Sequence, residues 1–114
     1  MRAEIKDFHS PDLDWASEVP LDGESFSVLL QLFIGAVGED GADSFDIILC
    51  TPEYLRQRVS EWGIFDGLHH LIVNSFNREQ IEKYLQKRVS SLEADTWKLL
   101  AQKLGQLGRW EYEE

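Results

Sequence analysis

Apolar residues recur at every second position from Phe26 to Ile34, then at helical spacing beyond Thr51, and this change of period dictates the order of the fold. Phe26, Val28, Leu30, Leu32 and Ile34 line one side of an extended segment. Leu29 and Phe33 stand on the other, so the strand is partly covered on both faces. After the turn composition Gly38-Glu39-Asp40-Gly41, Phe45–Cys50 reads as a second strand, and the two predict an antiparallel hairpin spanning Phe26–Val37 and Ser44–Cys50. Upstream, Arg2–Phe8 alternates Ala3 and Ile5 with charged neighbours, as a short strand packed on one face does.

Thr51-Pro52-Glu53 is a helix start: a hydroxyl cap, a proline where no amide donor is needed, and an acid near the positive end of the helix dipole. Leu55, Val59 and Trp62 follow at helical spacing until Gly63. Leu68–Val73 has strand length and composition. Asn77 caps a predicted helix running to about Leu92 with Ile81, Leu85, Val89 and Leu92 inward. The next set, Trp97, Leu100, Ala101, Leu104 and Leu107, lies on a stripe rotated by about 100° from the previous one, which predicts a break at Glu93–Asp95. Arg109–Tyr112, with Trp110 and Tyr112 on one side, reads as a short last strand. Strands first and helices mostly later predict an α+β domain: one largely antiparallel sheet of four to five strands with about three helices packed on it, in a single domain spanning 1–114.

One segment breaks the pattern. Residues 9–24 lose all periodicity and carry Pro11, Pro20, Gly23 and five acids, a longer irregular excursion than connectors in compact domains usually are. The excursion belongs to a larger asymmetry. Met1–Asp46 holds eleven acids against Arg2 and Lys6, whereas Ile47–Glu114 holds ten acids against nine bases. A field of that sign repels phosphate backbones and attracts cations, so nucleic acid is excluded as a partner and a basic protein is favoured over it. Solubility alone is the competing account of the charge.

No apolar run reaches the roughly 18 to 20 residues of a membrane helix, the start of the sequence lacks a signal-peptide pattern, and the single Cys50 lies in an apolar strand. Together these predict a cytoplasmic protein, a monomer or weak homodimer.

Catalytic and metal-binding patterns fare poorly. Neighbouring side chains on a strand diverge, so His69 and His70 cannot readily share an ion, and no further ligand sits at zinc-like spacing. Cys50 has no activating partner in sequence. Gly35, Gly38 and Gly41 lack the ending of a phosphate loop, and Glu39, Asp40 and Asp43 repel phosphate while lacking the alternate-position order of a calcium loop. We therefore expect no catalytic residue, cofactor or metal. Of the four tryptophans, Trp62 and Trp97 fall on apolar helical stripes and read as core. Trp15, between Asp14 and Glu18, reads either as an aromatic anchor for a partner or as a plug folded over the sheet.

Several stretches resemble the Immunity protein 8 family of bacterial polymorphic toxin systems: Met1-Arg2-Ala3-Glu4-Ile5-Lys6 with His9-Ser10-Pro11, Phe45-Asp46 through Cys50-Thr51-Pro52 to Tyr54-Leu55, and Trp110-Glu111-Tyr112. Tyr54 departs from it, standing where tryptophan is common. The resemblance implies a non-enzymatic protein that binds and neutralises a cognate toxin, and it supplies no binding residues. From charge and loop placement we expect the partner, a basic toxin with a nuclease as the leading chemistry, to meet Asp12, Asp14, Trp15, Glu18, Asp22, Glu24, Glu39, Asp40 and Asp43. Two other classes stay open: an intracellular adaptor for a cationic protein, and a small enzyme with a dispersed site.

Overall fold

The computed structural model describes residues 1–113. Three strands come first: β1 (Ala3–His9), β2 (Ser27–Ala36) and β3 (Asp43–Cys50). They pair antiparallel in chain order, with Ile5 opposite Ile34, and Leu30 opposite Ile47. The predicted alternation sets the faces. Val28, Leu30, Leu32 and Ile34 of β2 and Phe45, Ile47 and Leu49 of β3 are buried on one side, whereas Leu29, Phe33 and Ile48 are half-buried on the other. Gly35 is required at its place, because a Cβ there would meet the Gly41 carbonyl oxygen at 2.2 Å. The glycines of this stretch thus serve the fold of the hairpin turn onto its own strand.

Helix α1 (Pro52–Trp62) starts where Thr51 predicts it. The buried Thr51 hydroxyl accepts from Tyr54 N–H at 3.4 Å and from Phe26 N–H at 3.2 Å, so one side chain caps the helix and ties it to the entrance of β2. Gly63 ends the helix with φ +78°. The chain returns as β4 (His70–Ile72), shorter than the predicted 68–73 and parallel to β3, so α1 is the crossover of a β-α-β unit. Residue alternation alone could not reveal that direction.

Helices α2 (Arg78–Ser90) and α3 (Trp97–Leu104) close the main core with Ile81, Leu85, Val89, Leu100, Ala101 and Leu104, all essentially inaccessible. The predicted break falls between them and is held by the start of the chain: Ala94 N–H donates to Met1 O at 3.1 Å, and the Arg2 guanidinium reaches Ser90 O at 2.9 Å. Strand β5 (Arg109–Trp110) pairs with the first part of β3 while β4 pairs with its last part. The result is a five-stranded, mostly antiparallel sheet with three helices, the expected α+β class.

Trp97 and Trp110 converge on one carboxylate. Both indole N–H groups donate to Asp43 Oδ2, at 2.8 and 3.0 Å. Asp43 therefore pins α3 and β5 to the hairpin, a structural duty beside its expected place in a partner surface.

Candidate functional site

The excursion is well anchored. Trp15 is 7% exposed and belongs to the main core, stacked on Phe8 at 6.1 Å and edge-on to Phe76 at 5.4 Å. Its indole N–H donates to Glu82 Oε2 of α2 at 2.8 Å. Arg78 lies over the ring and donates to the backbone carbonyls of Trp15 and Glu18. Of the two readings of Trp15, the plug is the one the fold adopts, and a side chain so buried has little surface left to offer a partner.

The acids around it are exposed, and most of them also organise the loop. Asp12 accepts from Leu29 N–H at 2.8 Å, Glu18 from Asp14 N–H at 2.8 Å, Asp14 from Ala16 N–H at 3.2 Å, and Asp22 from Glu24 and Ser25 N–H at 3.0 and 3.1 Å. These bonds replace the ladder that an irregular segment lacks. Between the excursion, β1 and α2 lies an open depression of about 830 Å³, lined by Asp7, Asp12, Asp14, Glu18 and Glu82 together with Arg78 and His9. It can receive a cationic group from outside.

Glu39 and Asp40 lie elsewhere. Their turn leaves β2 at Ala36, whereas the excursion enters at Ser27, and the strand between puts about 30 Å between the two ends. The nine expected partner residues thus do not form one patch. The fold gathers Asp12, Asp14, Glu18, Asp22 and Glu24 at one end and leaves Glu39 and Asp40 at the other.

A second surface was missed in the sequence. No residue of α1 is buried, and Trp62, expected in the core, is 59% exposed. Its ring stacks on Phe65 at 5.8 Å, and Phe65 meets His70 edge-on at 5.0 Å. His70 is the register partner of Ile48, whose side faces away from α2 and α3, so this aromatic row occupies the flank opposite the main core. The Arg58 guanidinium lies 5.2 Å from the Tyr54 ring centre and 5.7 Å from that of Trp62. Helical spacing had marked the apolar side of α1 correctly; it carried no information on whether another element covers that side.

The two histidines take different partners, because His69 lies in the turn before β4, with φ +60°, while His70 opens the strand. His69 Nε2 is 2.6 Å from Gly105 O at the end of α3, and His70 Nδ1 is 2.7 Å from Leu68 O. Burial pushes the Cys50 thiol above its ordinary range, which keeps it protonated and disfavours nucleophilic use. Among the described residues no group of three or more His, Cys, Asp or Glu is arranged to hold a metal ion, and no helix is long and apolar enough to cross a membrane.

Fold and surface together define a small α+β protein with an acidic end and an exposed aromatic flank. The chain matches the family described as Immunity protein 8 over residues 3–114, and it belongs to that family. No curated protein and no solved structure matches it.

Proposed function

We propose that this protein neutralises a cognate bacterial toxin by binding it directly, with no catalysis of its own. Family membership across residues 3–114 supports the immunity role, and the observation that carries the binding mode is the collection of five excursion carboxylates around one end of the sheet. A toxin with a basic active site, a nuclease being the leading chemistry, is attracted by that field. Steering raises the encounter rate, and a carboxylate-lined surface then occupies the cleft that phosphate would enter. Inhibition is by occlusion of the active site inside the producing cell.

The test is a set of isosteric amides, Asp12→Asn, Asp14→Asn, Glu18→Gln, Asp22→Asn and Glu24→Gln combined, measured for association with the cognate toxin domain. Amide oxygens can still accept the loop's N–H bonds, so the fold is kept while the charge is removed. Association slows and its salt dependence flattens. Unchanged association at low salt overturns electrostatic docking at this end.

A further inference from the structure

Of the twelve large apolar side chains that the described residues expose, Val59, Trp62, Ile64, Leu68 and Ile72 fall within fourteen positions, on α1, the loop after it and β4. Trp62 stands 59% exposed and Ile64 83%. Scattered apolar residues are ordinary on a protein surface, but a cluster built around a tryptophan, with arginine and tyrosine stacked beside it, has the composition of an interface centre. Such a patch also needs a rim that excludes water and sets the sign of the partner.

The rim is acidic. Arg56 is bound by Glu53, with Nη2 2.6 Å from Oε1, and Arg58 by Glu61 at 3.2 Å, so both bases of α1 are neutralised within the helix. Asp66, Asp22 and Glu24 take part in no ion pair among the described residues and leave the surroundings negative. Continuity with the acidic end is direct: Ser25 at the exit of the excursion bonds Gln57 of α1, Oγ to Oε1 at 3.1 Å. From Gln57 to Trp62 the helix rises only about 7.5 Å. Beyond them, the backbone N–H and C=O of Ile72 face away from β3 at the sheet edge and make no bond to the described residues.

We infer that the α1–β4 flank centred on Trp62 is the anchor of the toxin interface, receiving a surface of the toxin that is apolar at its centre and basic at its edge. The inference rests on the immunity reading and divides the work of binding: excursion acids speed encounter, and the aromatic flank holds the complex. Desolvated aromatic contacts govern dissociation, whereas solvated charges at the rim of the contact act mainly on association.

The experiment uses the full chain and its cognate toxin domain, with Trp62→Ala and Ile64→Ser as separate variants, by binding kinetics and by hydrogen exchange of backbone amides. Trp62→Ala speeds dissociation by about 30-fold, the effect of a hot-spot residue, with association at low salt unchanged. Native-like near-ultraviolet dichroism and thermal unfolding of both variants show that the fold is intact. In the native complex, amides within residues 58–72 gain protection. Native dissociation from both variants, with protection confined to residues 10–25, overturns the anchor while leaving the immunity reading in place. A native chain that does not bind the toxin overturns both. Self-association of the chain alone that Trp62→Ala abolishes assigns the flank to a second copy and likewise overturns the inference.

Discussion

Trp15, which the sequence leaves open between plug and anchor, is enclosed, whereas Trp62, expected in the core, is open. Trp15 sits among acids in an aperiodic loop, yet Phe8, Phe76 and Arg78 enclose it; Trp62 sits on the apolar stripe of a capped helix, yet most of its surface meets solvent. The difference separates two properties that hydrophobic patterning merges. Periodicity reports which side of an element is apolar, while burial depends on whether another element arrives there. Helix α2 brings Glu82 and Arg78 to Trp15, and among the described residues no comparable layer covers α1.

Unfolding measurements give the widest test of this contrast. Trp15→Ala costs about 3 to 5 kcal/mol in urea or thermal denaturation, because a large core side chain and its packing are lost. Leu85→Ala and Leu100→Ala, both at fully buried positions, cost about 2 to 5 kcal/mol. Trp62→Ala stays within about 0.5 kcal/mol of the native protein. Equal losses at Trp15 and Trp62 would erase the distinction between core and flank.

Asp43 sharpens the comparison from the polar side. Asp43→Ala strands two indole donors and destabilises by about 1 to 3 kcal/mol, whereas Asp43→Asn recovers most of that because an amide oxygen still accepts. The two indoles report the change directly through near-ultraviolet dichroism. A full loss in the asparagine variant would mean that the charge, and not the hydrogen bonds, holds α3 and β5.

The smallest effect lies on α1. The hydrogen bonds and charge of the Arg56 guanidinium hold the Glu53 carboxyl below its ordinary range. A depressed carboxyl pKa adds stability that is present above the unfolded value and is lost as pH falls through the folded one. Both partners are solvent-exposed, so acid titration followed by dichroism shows only a slight loosening of the first turn, and Glu53→Gln removes that pH dependence. A large global transition at the same pH would show that α1 is tied to the core more tightly than its exposure indicates.

The strands and helices were legible in the chain because each has a local cause. Alternation from Phe26 to Ile34 sets β2, Thr51-Pro52 starts α1, Asn77 caps α2, and the rotated stripe separates α2 from α3. The acidic character of the excursion was legible too, since charge is additive along a sequence. Where those charges gather was not. Asp12 and Asp40 look equivalent in composition, but β2 holds their segments apart, and Asp43, acidic like its neighbours, is drawn inward by two indoles that lie 54 and 67 positions away. The parallel pairing of β4 likewise depends on where the crossover sets the chain down. Local sequence determined the elements, their faces and the sign of the field, because those follow from spacing and side-chain chemistry over a few residues. Only the tertiary structure decided that Trp15 is enclosed, that Trp62 is open and that the acidic end adjoins the aromatic flank, because burial and adjacency are set by contacts between segments far apart in the chain.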